Sequence, residues 1–356
     1  MKKSLGLVYG GKSAEHEVSL STARAVIQAV NFERYEVIPV YITHEGEWRK
    51  GQPLEGPVET IEELRLAGSG ESKPDSIHDF LNGGAGLPDV IFPLLHGTNG
   101  EDGTVQGFFE VMNIPYVGNG VLASSAGMDK VSMKQLFAQV GLNQVPYVHF
   151  VRSSWKQQRE ELLSQMKQEL VWPMFVKPAN LGSSVGISKA TDRDSLIEAI
   201  DFALKFDRRV IVEQGVTARE VELSVKGNDY PTCSVPGEIK PVTDFYDYEA
   251  KYQDGNTELI IPAAVTPAVK ELMEDMAIRA FKVLDCAGLV RADFFVTAEN
   301  EVLINEVNTM PGFTPTSMFP LLWKNSGVTY PELIDELIEL AFERHAEKSK
   351  IQYKMD

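Results

Sequence analysis

Leu289-Val-Arg-Ala-Asp293-Phe-Phe-Val296, a turn at Ala298-Glu-Asn300, and Glu301-Val-Leu-Ile-Asn-Glu306-Val-Asn308 read as the two strands of one hairpin. Side chains at i and i+2 of a strand share a face. With an even-numbered loop the pairing is centred between Glu299 and Asn300, which sets Asp293 opposite Glu306 and Arg291 opposite Asn308. Cross-strand neighbours on one face lie within about 5.5 Å at Cβ. Two carboxylates and an amide oxygen thereby meet at one point, with a guanidinium alongside. Hard oxygen donors of this kind, few in number, suit Mg²⁺ held mostly by substrate phosphates. The same face is expected to continue toward the turn as Phe295, Ile304 and Val302. Surface hairpins also carry charges, but here four polar groups converge and Thr309-Met-Pro-Gly312 follows directly.

Upstream, strand patterns at Ser4–Gly10, YEVIPVYIT and DVIFPLLHG alternate with helical patterns at 18–30 and about 104–112. That alternation argues an α/β fold with a parallel, doubly wound sheet. A Gly/Glu/Pro/Ser-rich stretch, about 46–86, reads as an exposed insertion. IPYVGNG closes this first unit near residue 122. A second unit opens with a helix at about 127–139, ended by Gly141, and carries strands at YVHFV, MFVKPA and RRVIVEQ with a helix at SLIEAIDFALKF. The third holds VELSVKG, CSVPGEIKP, the hairpin, and helices at about 267–284 and 331–346.

The length of 356 residues allows two or three domains. A composition of 43% hydrophobic and 24% charged residues is that of an ordinary globular protein. The net charge of −17 disfavours nucleic acid or an anionic membrane as partner. An anionic nucleotide would need locally concentrated Lys, Arg, helix N-termini and metal. Cys233 and Cys286 provide neither a disulfide framework nor zinc spacing. No run of 18 apolar residues and no signal-peptide pattern is visible, so a cytoplasmic protein is expected.

Several segments suit a nucleotide. Lys177-Pro-Ala-Asn-Leu-Gly-Ser-Ser-Val-Gly186 follows an apolar strand, and its Gly and Ser residues (Ser183 and Ser184 among them) leave backbone N–H groups for phosphate oxygens. A flexible hairpin tip would look similar. Lys130, at a helix start, is a second phosphate cation or a surface charge. Glu213 and Gln214-Gly-Val216 end a strand where an adenine edge and ribose would be read. Glu220 and Glu222 share a strand face, so one of them would reach a ribose or a metal, or both would be solvated. By contrast, Gly6-Leu-Val-Tyr-Gly-Gly11-Lys12-Ser13 matches the phosphate-loop pattern G-x-x-x-x-G-K-[ST] only in letters. That loop must follow a strand, whereas Leu7-Val8-Tyr9 is the strand.

Ligands of open parallel sheets gather at the carboxyl ends of the strands. Glu15 lies there, placed either for a substrate ammonium or for the N-terminus of its own helix. His96 and Glu101, after the third strand, reach the same edge. Asp244-Phe-Tyr-Asp-Tyr-Glu-Ala-Lys251-Tyr252 is too polar for a core strand. It suits either a loop that folds over a site and excludes water or a surface loop.

Taken in order, GGKSAEHEVS, LLHGTNGEDGTVQG, SSAGMDK, FVKPANLGSSVG, VEQGV, REVELSV, FYDYEAKY, RADFF and NEVNTMPGFTPTSMFP resemble the D-alanine–D-alanine ligases of the ATP-grasp superfamily over nearly the whole chain. The resemblance implies a three-domain ATP-grasp fold with a Rossmann-like N-terminal unit, here divided 1–122, 123–216 and 217–356. It also implies ATP-dependent joining of two D-alanines through an acylphosphate, for peptidoglycan precursor synthesis. Lys130, Lys177, Lys251, Ser183 and Ser184 would meet the ATP phosphates, and Glu213, Gln214, Val216 and Glu220 the adenine and ribose. Asp293, Glu306 and Asn308 would hold two Mg²⁺ or Mn²⁺. Glu15 would bind the ammonium of the first D-alanine, with His96 nearby, and Ser317 with Gly312 the second D-alanine. Ser183 and Tyr252, linked to Glu15, would join the nucleotide loop to the substrates, while Arg291 and the Gly312 N–H would stabilise the oxyanion. Asn180-Leu181 departs mildly from the phosphate-loop motif. The alternative is ligation of D-alanine to a hydroxy acid such as D-lactate. Relatives that do this lack a tyrosine at the place of Tyr252, so an amine nucleophile is expected. The expected assembly is a homodimer.

Overall fold

The computed structural model describes residues 2–67, 77, 78, 80, 81, 86–182, 185–241 and 257–355. β1 (Lys3–Gly10), β2 (Tyr35–Ile42), β3 (Trp48–Lys50) and β4 (Val90–Pro93) form a sheet in the order β3-β2-β1-β4. β1 runs parallel to β2 and β4, as the alternating pattern predicts, and β3 closes the edge antiparallel to β2. Residues 5–10 are all buried, the signature of a parallel strand covered on both faces. Gly6 to Gly10 lie inside β1, which removes the phosphate-loop reading. Helix α1 (His16–Ala29) links β1 to β2, and α2 (Thr104–Val111) follows the glycine turn after β4.

The 46–86 stretch is not the uniformly exposed insertion that its composition suggests. β3 lies within it, Val58 and Leu64 are buried in the core of the first sheet, and the Leu64 carbonyl accepts from the Tyr9 hydroxyl at 3.0 Å. Scattered apolar residues among Gly and Glu carry no period, so their burial is set by the sheet they cover.

The helix expected at 127–139 is two helices, α3 (Val121–Met128) and α4 (Lys130–Gln139). Asp129 breaks them: its backbone is extended, and its carboxylate caps α4 by accepting from Ser132 N at 2.7 Å. β5 (Tyr147–Val151), α5 (Arg152–Gln157), α6 (Arg159–Glu169), β6 (Met174–Pro178), β7 (Ser188–Ala190), α7 (Arg193–Ala203) and β8 (Arg209–Gln214) follow. Their antiparallel sheet has the order β5-β8-β6-β7. The next sheet runs β12-β11-β9-β13-β14, with β10 beside β9. It comprises β9 (Ala218–Gly227), β10 (Thr232–Cys233), β11 (Gly237–Pro241), β12 (Thr257–Ile260), β13 (Gly288–Thr297) and β14 (Val302–Asn308). Helix α8 (Pro267–Val283) packs on it, together with residues of α3 and α4. After α9 (Met318–Asn325), α10 (Tyr330–Lys348) buries Leu333, Ile334, Leu337 and Ile338 in the core of the first sheet. The chain's end is thus built into its beginning. That return places the hairpin's mouth beside the carboxyl ends of β1 and β4.

Candidate active site

In the strand pair β13–β14, at one edge of the β12-β11-β9-β13-β14 sheet, Arg291 faces Asn308 and Asp293 faces Glu306, the facing that the sequence predicts. Beyond this point the ladder slips. Phe294 pairs with Ile304 and Phe295 with Leu303, so Asn305 is the extra residue of a β-bulge. The expected continuation of the polar face through Ile304 and Val302 is therefore wrong: both are buried with Phe294 and Val296 in the core. A bulge reverses the alternation by one residue. It lets β14 bury Val302 and Ile304 while presenting Glu306 and Asn308 to the cleft.

Arg291 lies along Asp293, with Nε 2.8 Å from Oδ1 and Nη2 2.7 Å from Oδ2. Its Nε is also 2.9 Å from Oε2 of Glu222, which pairs with Asp293 from β9. Burial works against the guanidinium's charge, but the Asp293 and Glu222 carboxylates outweigh it and raise the pKa of Arg291 well above its usual value. Asn308 Nδ2 donates to Asp293 Oδ2 at 2.9 Å, which leaves Oδ1 as the atom that could accept a metal. Asp293, Glu306 and Asn308 thus supply hard oxygens at one place, a donor set that fits Mg²⁺ or Mn²⁺.

Lys130, the first residue of α4, sets Nζ 3.1 Å from Glu306 Oε2 and donates to the Leu181 carbonyl at 3.2 Å. Asp129 beside it accepts from Asn180 Nδ2 at 2.7 Å and pairs with Arg209 at 2.9 Å, tying the glycine-rich loop to the helix start. Lys177, on β6, pairs with Glu213 on β8 at 2.6 Å. The other oxygen of Glu213 is 3.2 Å from the Lys134 ammonium, a buried cation that sequence reasoning missed because a lysine in a helix reads as surface charge. Burial alone would raise the pKa of Glu213, but Lys134 and Lys177 hold it down to about 2. Its carboxylate is thus turned to the two lysines. Gln214 ends β8, and Val216 is half-buried just beyond it. Glu220 pairs with Phe295 in the ladder and is half-buried.

Glu15 stands at the end of α1 that faces the strand tips. A Cβ built on Gly97 would lie 2.7 Å from its Oε2, and one on Gly182 would lie 3.8 Å away. The glycine-rich loop and the turn after β4 therefore both meet the Glu15 carboxylate. Glu101 accepts from Gly97 N at 2.8 Å. His96 is buried, 3.3 Å from the Met310 carbonyl and 3.4 Å from Thr22 Oγ1. Gly312 abuts Ser317, whose Oγ would be 3.1 Å from a Cβ at that position and accepts from Thr314 N at 3.1 Å. Ser317 also opens α9, where free N–H groups attract a carboxylate. Ser183, Ser184, Lys251 and Tyr252, with the 244–252 segment, lie outside the described residues.

Family models for the D-ala D-ala ligase N-terminus and C-terminus match residues 4–119 and 136–339. The chain belongs to the D-alanine–D-alanine ligase family. It is 58% identical over 359 residues to the D-alanine–D-alanine ligase of Bacillus licheniformis, covering 99% of each chain. The ligase of Listeria monocytogenes serovar 1/2a is 56% identical over 369 residues, with 100% of each covered. Among solved structures, the Coxiella burnetii D-alanine–D-alanine ligase superposes with a TM-score of 0.81 at 33% identity, covering 98% of this chain and 96% of that one. The VanG D-Ala:D-Ser ligase of Enterococcus faecalis also gives 0.81, at 32% identity, covering 96% and 100%. The fold is accordingly that of the ATP-grasp enzymes. Among the described residues, no helix is long and apolar enough to cross a membrane.

Proposed function

We propose that the chain joins two D-alanines to D-alanyl-D-alanine, converting ATP to ADP and phosphate. The observation that carries this reading is the Arg291–Asp293–Glu306–Asn308 cluster, set in a chain that matches D-alanine–D-alanine ligases end to end. A carboxylate is a poor electrophile, so the first D-alanine carboxylate would attack the γ-phosphate and become an acylphosphate. Asp293, Glu306 and Asn308 would hold two divalent cations. When bound, these would draw charge off the transferring phosphate. Lys130, Lys177 and Lys251 would add positive charge along the phosphates, with Ser183 and Ser184 in the loop over them. Because Glu213 is committed to its lysines, adenine would be read by the backbone of Gln214–Val216, and ribose by Glu220.

Glu15 would take the first ammonium, with His96 behind it, and the α9 N-terminus with Ser317 and Gly312 the second carboxylate. The second amine, once deprotonated, would attack the acyl carbon. Arg291 and the Gly312 N–H would then hold the oxyanion, and phosphate would leave. Ser183 and Tyr252 would close the loop over the substrates and exclude water, which would otherwise hydrolyse the acylphosphate. The units 1–122, 123–216 and 217–356 divide these tasks into substrate, nucleotide and metal sides. A cytoplasmic homodimer completes the proposal.

The test is phosphate release from ATP by the purified chain with D-alanine alone, with the product identified by mass. Release accompanied by D-alanyl-D-alanine supports the reading, and no release with D-alanine rejects it. Adding D-lactate or D-serine measures the alternative second substrates. Identity of 58% to a D-alanine–D-alanine ligase, against 32% to the D-Ala:D-Ser enzyme, favours D-alanine. A nucleotide-binding regulatory module would bind ATP without forming ADP, and such a module has no use for Arg291.

A further inference from the structure

Among the described residues, Arg291 and Asn308 form the last pair of the β13–β14 ladder at the cleft end. Just past it stands Asn119, from the loop that closes the first unit, 3% exposed. Its Nδ2 donates to the Leu289 carbonyl and to the Thr309 carbonyl, each at 2.7 Å. Its Oδ1 accepts from Ala287 N at 3.0 Å. Two carbonyls and one N–H fix which way the amide points and use both of its donors. Leu289 is two residues before Arg291, and Thr309 directly follows Asn308. One side chain from outside the hairpin therefore supplies its next rung.

The surroundings hold that rung in place. A Cβ on Gly288, where φ is +73°, would lie 3.0 Å from the Gly118 backbone, so the start of β13 and the loop that carries Asn119 touch main chain to main chain. Arg344 Nη1 donates to the Gly118 carbonyl of the same loop at 2.7 Å.

We propose that Asn119 is a positioning residue: by bridging Leu289 and Thr309 it sets the strand spacing on which Arg291, Asp293, Glu306 and Asn308 depend. This rests on the ligase reading given above. Removing the two donors leaves buried carbonyls unpaired and frees the strand ends to spread. Residues that orient metal-binding groups from behind typically change activity or metal affinity about 10–100-fold when altered.

The experiment compares the full-length wild type with Asn119→Asp, which keeps the shape but loses the donors, with Asn119→Ala, and with Arg344→Ala. Arg344→Ala disturbs the same loop without touching the hairpin. Measured are kcat for ADP formation with D-alanine, the Mg²⁺ concentration at half-maximal rate, and the rise in Tm given by ADP with Mg²⁺ over ADP alone. Both Asn119 variants should lose about 10–100-fold in kcat, need more Mg²⁺, and lose most of the Mg²⁺-dependent rise in Tm. Arg344→Ala should lower Tm while leaving kcat and the Mg²⁺ requirement unchanged. Wild-type values in the Asn119 variants would overturn the proposal. So would an equal loss in Arg344→Ala, or failure of both Asn119 variants to fold, since each marks a general structural support. A wild type that is inert with D-alanine yet gains Tm from Mg²⁺ with ADP would reject the ligase reading, while the Mg²⁺ increment would still judge Asn119.

Discussion

The Lys130 ammonium stands 3.1 Å from Glu306 Oε2, joining the first residue of α4 to β14. The same nitrogen reaches the Leu181 carbonyl at 3.2 Å. One cation thus touches both the hairpin that offers metal ligands and the glycine-rich loop. A phosphate bound there would lie between oxygen donors, which need a divalent cation, and a lysine placed to share its charge.

Replacing Glu306 by Gln keeps the side chain's size and removes its charge. It deprives the cluster of one of its two facing carboxylates and Lys130 of its partner. Turnover with D-alanine should fall below detection while the circular dichroism spectrum stays that of the wild type. Near-normal turnover would take Glu306 out of the metal site.

Arg291→Lys is not a conservative change. Arg291 engages Asp293 through two nitrogens and Glu222 through one, at 2.7–2.9 Å, and a single ammonium cannot reproduce that fork. If the guanidinium also holds the oxyanion, kcat should drop about 10²–10³-fold. An unchanged kcat, measured at saturating ATP and D-alanine, would remove Arg291 from that role.

The facing of Asp293 with Glu306 was legible as a pairing, but the turn behind it was misplaced: Val296 pairs with Val302 and Thr297 N donates to the Glu301 carbonyl, so the turn centres on Glu299 and only the extra residue Asn305 restores the pairing. The bulge at Asn305 was legible too, but unread. Val302, Ile304, Glu306 and Asn308 form one period-2 row that is half apolar and half polar, and no single strand face serves both halves. Asp129 carried its own signal as a capping residue within a helical pattern. Lys134 and Asn119 carried none, because their burial is decided by other units of the chain. A lysine on a helix and an asparagine in a glycine loop look like surface until Glu213 and the Leu289 carbonyl are brought to them. α5 and α6 were missed for a related reason: Arg159–Glu169 is rich in charge, and only Leu163 and Met166 in it are buried.

Ser19 is fully buried in α1; its Oγ accepts from Gly10 N at 2.7 Å and donates to the Leu94 carbonyl at 2.5 Å. It holds the tips of β1 and β4 at the distance that Glu15 and Gly97 require. Ser19→Ala would leave both groups unpaired in the interior, at a cost of about 1–3 kcal/mol each at most. The midpoint in urea should fall with m unchanged, and the KM for D-alanine should rise. An unaltered midpoint would mean that water takes over both bonds.

Glu213, buried between Lys134 at 3.2 Å and Lys177 at 2.6 Å, is where acid should act on stability. Its pKa falls from 4.5 to about 2 in the folded chain, so the unfolded state binds its proton first. The stability that the ionised group contributes is therefore complete above about pH 4.5 and is lost as pH falls toward 2. Glu213→Gln removes that dependence and takes from the buried Lys134 and from Lys177 the carboxylate they share. Breaking a buried pair from one side typically costs about 3–5 kcal/mol at neutral pH. Urea unfolding from pH 7 down to 3 should show a large deficit for the variant at pH 7 that narrows on acidification, because only the wild type loses this contribution. A deficit that stays constant across the range would mean that the two lysines do not depend on the charge of Glu213.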